Sequence, residues 1–133
     1  MNANAESHAL LRIDDLCARV SAYLQPEQID QIRLAYDFGA VAHEGQKRAS
    51  GEPYIQHPLE VACILADMHM DHETLIAAIL HDVIEDTPID RDRVADEFGG
   101  EVAAIVDGLS KLTQLEFESQ AETQARNFQR MLM

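Results

Sequence analysis

The chain has 133 residues, enough for one domain that buries roughly two-thirds of the surface its unfolded form exposes, and too few for two. Against 10 basic residues stand 24 acidic ones, a formal charge of −14 that repels phosphate backbones and anionic lipid and so argues against a nucleic-acid or membrane surface. It leaves room for a phosphorylated small molecule, because a divalent cation and a few local Lys or Arg can reverse the field inside one cleft.

In chain order, the opening Met1–Glu6 has neither a cationic start nor an apolar run. No later stretch reaches the ~18 apolar residues of a membrane helix, so a cytoplasmic protein is expected. Ile13, Leu16, Val20 and Leu24 recur at three- and four-residue intervals and predict an amphipathic helix ending before Pro26. Pro26 suits the first turn of the next helix, which carries Ile29, Ile32, Leu34, Phe38 and Val41 toward a stop at Gly45. Gly51 and Pro53 mark a loop bearing Lys47 and Arg48, and Pro58 opens a helix containing Val61, Ile64, Leu65 and Met68. After an acidic turn at Asp71 comes a helix apolar on nearly every face, Leu75–Leu80, closed by Thr87-Pro88. Shorter helices are predicted from Asp90 to Phe98, stopped by Gly99, and from Glu101 to about Leu112. A last one runs from about Gln120 through Ala121, Ala125, Phe128, Met131 and Leu132. That final stripe has no capping residue at its end, which reads as truncation and predicts an exposed apolar face suited to self-association. The class is all-α, with neither repeats nor strand-like alternation. Cys17 and Cys63 fall within apolar helical patterns and read as reduced core residues.

The chemistry lies where the apolar helix turns polar, at His81-Asp82-Val83-Ile84-Glu85-Asp86. Unpaired carboxylates inside a core cost several kcal/mol, so ion pairs or a metal must hold this set together. At about 100° per residue, Glu85 stacks near His81 and Asp86 near Asp82, which gives two pairs on adjoining faces. His81 and Asp82 can reach one ion if another element adds a ligand, and His57, at a loop-to-helix junction, is the candidate. Imidazole with carboxylate and no thiolate favours Mn²⁺, Fe²⁺ or Zn²⁺ in an open site. Glu85 and Asp86 would then orient or deprotonate an activated water. Taken alone, His81-Asp82 could equally be a core histidine beside an exposed helix end. His43, near Gly45, reads as a histidine at a helix end among unpaired carbonyls, and His69 and His72 read as solvated.

The strings Gly45-Gln46-Lys47-Arg48-Ala49-Ser50-Gly51-Glu52-Pro53-Tyr54-Ile55-Gln56-His57-Pro58, Leu80-His81-Asp82-Val83-Ile84-Glu85-Asp86-Thr87, Phe98-Gly99 and Ser110-Lys111-Leu112 resemble the N-terminal HD hydrolase domain of the RelA/SpoT family, nearest its bifunctional SpoT branch. The likeness runs from about Ala35 to the end of the chain. It implies an HD-type helical bundle: residues 1–133 as a single partial domain, with 1–25 an N-terminal helix and 26–133 the helical core. It also implies Mn²⁺-dependent removal of the 3′-diphosphate from the alarmones ppGpp and pppGpp, yielding pyrophosphate and GDP or GTP in stringent-response control. His57, His81 and Asp82 match metal ligands of the family, and Glu85 and Asp86 match its acidic pair for water activation. Arg48 matches a residue packing on the guanine base, with Lys47 and Ser50 beside it as further substrate-binding positions. The synthetase-only branch loses the His-Asp pair that this chain keeps.

Two departures accompany the likeness. Ala49 stands where the family commonly has Lys, at a cost of about 1.5–3 kcal/mol if a charge-assisted hydrogen bond is lost. The family's fourth metal ligand is an Asp on a later helix, beyond Met133, so weak metal binding and little turnover are expected of this chain alone. Two other readings follow: a non-catalytic nucleotide- or protein-binding fragment, or an HD phosphohydrolase acting on another nucleotide.

Overall fold

The structure, a computed structural model, describes residues 12–46, 51 and 53–132, with side chains throughout except at 112–122, 128–130 and 132. Six helices account for almost all of it: α1 Ile13–Val20, α2 Pro26–Ala42, α3 Gln56–Asp67, α4 His72–Asp86, α5 Arg91–Phe98 and α6 Gly100–Leu132. No strand occurs among the described residues, so the architecture is the all-α bundle that the apolar spacing predicts.

Helix α4 is the centre. Leu75 through Leu80 and Val83 are all buried, and α4 packs against α2, α3 and α6. A helix apolar all round is stable only when covered on every side, and here three neighbours cover it. Asp71 starts it, accepting a hydrogen bond from the Thr74 amide at 2.8 Å and so satisfying one of the helix's unpaired N–H groups. Asp90 does the same for α5 through the Arg93 amide at 3.0 Å. Gly39 lets α2 sit close: a Cβ there would meet Ile55 Cδ1 at 2.9 Å. Cys17 and Cys63 are buried and unpaired, and burial pushes both thiols above their ordinary pKa.

The boundaries differ from expectation in four places. α2 ends at Ala42, short of Gly45. α1 stops at Val20, and Tyr23 and Leu24 lie in the turn before Pro26 rather than on the helix. α3 begins at Gln56, with Pro58 inside its first turn, where a proline's missing N–H costs nothing. The two helices expected after Gly99 are one, of 33 residues. The segment 113–119 that joins them lacks an apolar stripe but also lacks Gly and Pro, and its Gln, Leu and Glu are good helix formers. Of the expected exposed stripe, Met131 is 83 % exposed, while the side chains of Phe128 and Leu132 lie outside the described residues.

Candidate metal centre

The C-terminal half of α4 emerges from the core carrying four polar groups. His81 and Asp82 are still largely covered, their side chains 19 % and 15 % exposed, whereas Glu85 and Asp86 are exposed one turn later. His81 Nδ1 lies 2.7 Å from the Ala78 carbonyl. A carbonyl only accepts, so Nδ1 carries the proton, and Nε2 is the nitrogen directed at chemistry. It sits 3.0 Å from Asp82 Oδ1. Two donors each about 2.1 Å from one ion stand about 3.0–3.4 Å apart, so this spacing fits a shared cation. The backbone carbonyl on Nδ1 is the outer partner that metal-bound histidines ordinarily have.

The electrostatics are those of an ion pair. Burial, the largest single influence on His81, opposes its charge. The hydrogen bonds to Asp82 and Ala78, with the charges of Asp82 and Glu85, outweigh it and raise the pKa above the ordinary histidine value. Burial likewise works against the Asp82 carboxylate, but the hydrogen bond and charge of His81 hold its pKa below the usual value.

His57, in the first turn of α3, lines the same cavity as His81. This space of about 410 Å³ is otherwise walled by Val61, Leu65, Thr74, Ala78, Ile105 and Leu109. One carboxylate oxygen from each of Asp82, Glu85 and Asp86 lies within 4.8 Å of the others. Among the described residues these three acids form the group at that spacing, and His57 does not join His81 and Asp82 in one; carboxylate oxygens with no thiolate suit a hard or borderline divalent cation.

The two outer acids are each held by a hydroxyl from a different element. Ser110 of α6 donates to Glu85 Oε1 at 2.9 Å, and Tyr54, just before α3, donates to Asp86 Oδ2 at 2.6 Å. Gln46 donates through Nε2 to the main-chain carbonyl of Asp86 at 2.9 Å. None of Ser110, Tyr54 and Gln46 stood out as a site residue from spacing, since their partners lie far away in sequence. His43 ends α2 as expected, but it is 3 % exposed, stacked on Tyr54 at 4.7 Å and paired through Nδ1 with Gln46 Oε1 at 2.9 Å, and His72, expected to be solvated, is half-buried. His69 is exposed but stacks on Tyr23 at 4.5 Å. Lys47, Arg48 and Ser50, the expected substrate-binding positions, lie outside the described residues.

Comparison with known proteins gives the family. The family model described as "HD domain" matches residues 35–133. The chain is 54 % identical over 114 residues to the bifunctional (p)ppGpp synthase/hydrolase SpoT of Escherichia coli K12, covering 86 % of this chain and 16 % of that protein. It is 49 % identical over 120 residues to a guanosine-3′,5′-bis(diphosphate) 3′-pyrophosphohydrolase of Vibrio cholerae, covering 90 % and 17 %. To the Brucella melitensis GTP pyrophosphokinase rsh it is 42 % identical over 124 residues, covering 93 % and 16 %. The chain thus spans about one-sixth of the length of these relatives. A divalent metal ion goes with an HD domain and with the acidic cluster on α4. The chain belongs to the HD-domain family, and its sequence stands with the RelA/SpoT members of that family.

Proposed function

We propose that this chain is the hydrolase module of an alarmone 3′-pyrophosphohydrolase. It would cleave the 3′-diphosphate from ppGpp or pppGpp with water to give pyrophosphate and GDP or GTP, with Mn²⁺ as the cation. The observation that carries the reading is the His81 Nε2 to Asp82 Oδ1 pair at 3.0 Å, with His57 lining the same cavity as His81 and with the Glu85 and Asp86 carboxylates near that of Asp82. The relatives' names support the substrate. His57, His81 and Asp82 would hold the ion. When bound, the ion draws charge from a phosphoryl oxygen and makes water a competent nucleophile at neutral pH.

The chain's own groups then have separate tasks. Oδ2 of Asp86 and Oε1 of Glu85 are occupied by hydroxyl donors, which leaves Oδ1 and Oε2 to take the proton of the attacking water. The oxygen of that water bonds to the phosphorus attached to the ribose 3′ oxygen, the bond to that oxygen breaks, and the proton taken up by the carboxylate passes to the 3′ oxygen as it leaves as a hydroxyl. Arg48, with Lys47 and Ser50, would hold the guanine and phosphates, which an otherwise acidic surface would repel. No described helix is long and apolar enough to cross a membrane, and both cysteines are reduced, in keeping with work in the cytoplasm.

The test is pyrophosphate release from ppGpp, with Mn²⁺ and then with a chelator, by the longest open reading frame that contains these 133 residues. Metal-dependent release with GDP as co-product is the expected result. Binding of ppGpp without release, at any Mn²⁺ concentration, would overturn the reading in favour of a binding module. Release from another nucleotide but not from ppGpp would overturn the substrate.

A further inference from the structure

Asp86 occupies an awkward place. It is the last residue of α4, where a helix leaves its final carbonyls unpaired and where the dipole disfavours a negative charge. An exposed carboxylate there has every reason to swing away, yet it is held at two points. Tyr54 grips the side chain at 2.6 Å, the short distance typical of a hydroxyl donating to a charged oxygen. Gln46 grips the main-chain carbonyl at 2.9 Å.

Both grips lead back to one buried ring. The Asp86 carbonyl can only accept, so Gln46 must present its NH₂ group there and turn Oε1 toward His43. His43 therefore carries its proton on Nδ1 and donates to Gln46. Its ring stacks on Tyr54 with an interplanar angle of 24°, which fixes the plane of the phenol whose hydroxyl meets Asp86. The other nitrogen, Nε2, is buried with no hydrogen-bond partner among the described residues. A buried acceptor left unmatched opposes folding, and a phenylalanine would keep the stack without that penalty. What a phenylalanine would lose is the Nδ1–H that orients Gln46.

We propose that Tyr54, backed by His43 and Gln46, is a positioning residue for the hydrolysis: it presents Asp86 with Oδ2 occupied and Oδ1 turned to the reacting water. The inference rests on the hydrolase reading above and adds to it a part of the site contributed from outside α4. Tyr54 does its work through Asp86, so its loss slows the chemical step and, with His57, His81 and Asp82 as the ligands proposed above, leaves substrate and metal binding alone.

The test is a double-mutant cycle on ppGpp hydrolysis in the longest open reading frame containing these residues. Tyr54→Phe removes one oxygen at a half-buried site. It should lower kcat by about 10–100-fold, the usual cost of removing a supporting contact, with KM for ppGpp and half-saturation by Mn²⁺ unchanged within about twofold. In an Asp86→Asn background the same substitution should cost nothing more. His43→Phe should lower kcat in the same direction by less, and Tyr36→Phe, at a tyrosine of α2 packed against the core, should leave it unchanged. An unaltered kcat in Tyr54→Phe would overturn the inference, as would an equal loss with Asp86 present or replaced. Failure of the unsubstituted protein to hydrolyse ppGpp would instead overturn the hydrolase reading, and this inference with it.

Discussion

The two halves of α4 use one backbone for opposite purposes. From Leu75 to Leu80 every side chain is buried and apolar, held by α2, α3 and α6. From His81 to Asp86, the polar side chains pass from half-buried, at His81 and Asp82, to exposed, at Glu85 and Asp86. Dispersion and the hydrophobic effect fix the first half without regard to direction. The second half is fixed by directional contacts: Ala78 O on His81, Tyr54 on Asp86 and Ser110 on Glu85. The lesson is one of division of labour. A helix end can be precise enough for chemistry because its other end is immovable, and the two halves should fail in different ways when altered.

The sharpest separation should come from Asp82→Asn. A neutral amide beside His81 removes the charge that a cation needs, and Mn²⁺ affinity measured by calorimetry should fall by more than 100-fold, with ppGpp turnover lost in parallel. The melting temperature without metal should move by only a few degrees. Unfolding on that substitution would show that the pair holds the fold rather than an ion.

The reverse outcome is expected of Leu80→Ala, one residue before the site. Deleting that fully buried side chain should cost about 2–5 kcal/mol in urea or thermal unfolding. In whatever fraction stays folded, metal affinity should be retained within about threefold. A larger loss of affinity from folded protein would mean that the core and the site are not separable.

The mildest effect belongs to the start of the helix. Asp71→Ala removes the cap on Thr74 and should destabilise by about 0.5–2 kcal/mol, with the site untouched. The hydrogen bonds from the Thr74 side chain, first, and its amide lower the Asp71 pKa from 3.8. A depressed carboxylate contributes fully above its unfolded value and loses its contribution as pH falls through the folded value. The penalty of the substitution should therefore be constant from neutral pH down to about 4 and shrink below that. A penalty that grew in acid would exclude the cap as its cause.

Most of the fold was legible because its causes are local. Three- and four-residue spacing located α1, α2 and α3, Pro26 and Gly99 marked ends, and the unbroken run Leu75–Leu80 announced the central helix. The continuity of α6 was hidden because its middle has helix propensity but no apolar stripe, and periodicity reads only the stripe. In the site, His81 and Asp82 stood out as charged groups at the end of an apolar run. What they meet did not. Tyr54 with Asp86, Ser110 with Glu85 and the buried His43 are pairings across the bundle, and nothing in the spacing of either partner points to the other.

The hydrogen bond from His81 Nδ1 to the Ala78 carbonyl has a consequence for how such a site endures. The acceptor belongs to the peptide backbone of the same helix, three residues back, so no single-residue replacement at 78 that keeps the helix can delete it. The ring's tautomer is inherited with the coil itself. Neighbouring side chains can drift through generations of substitution without changing which nitrogen is offered, while a proline or a distortion of this one turn would withdraw it at once.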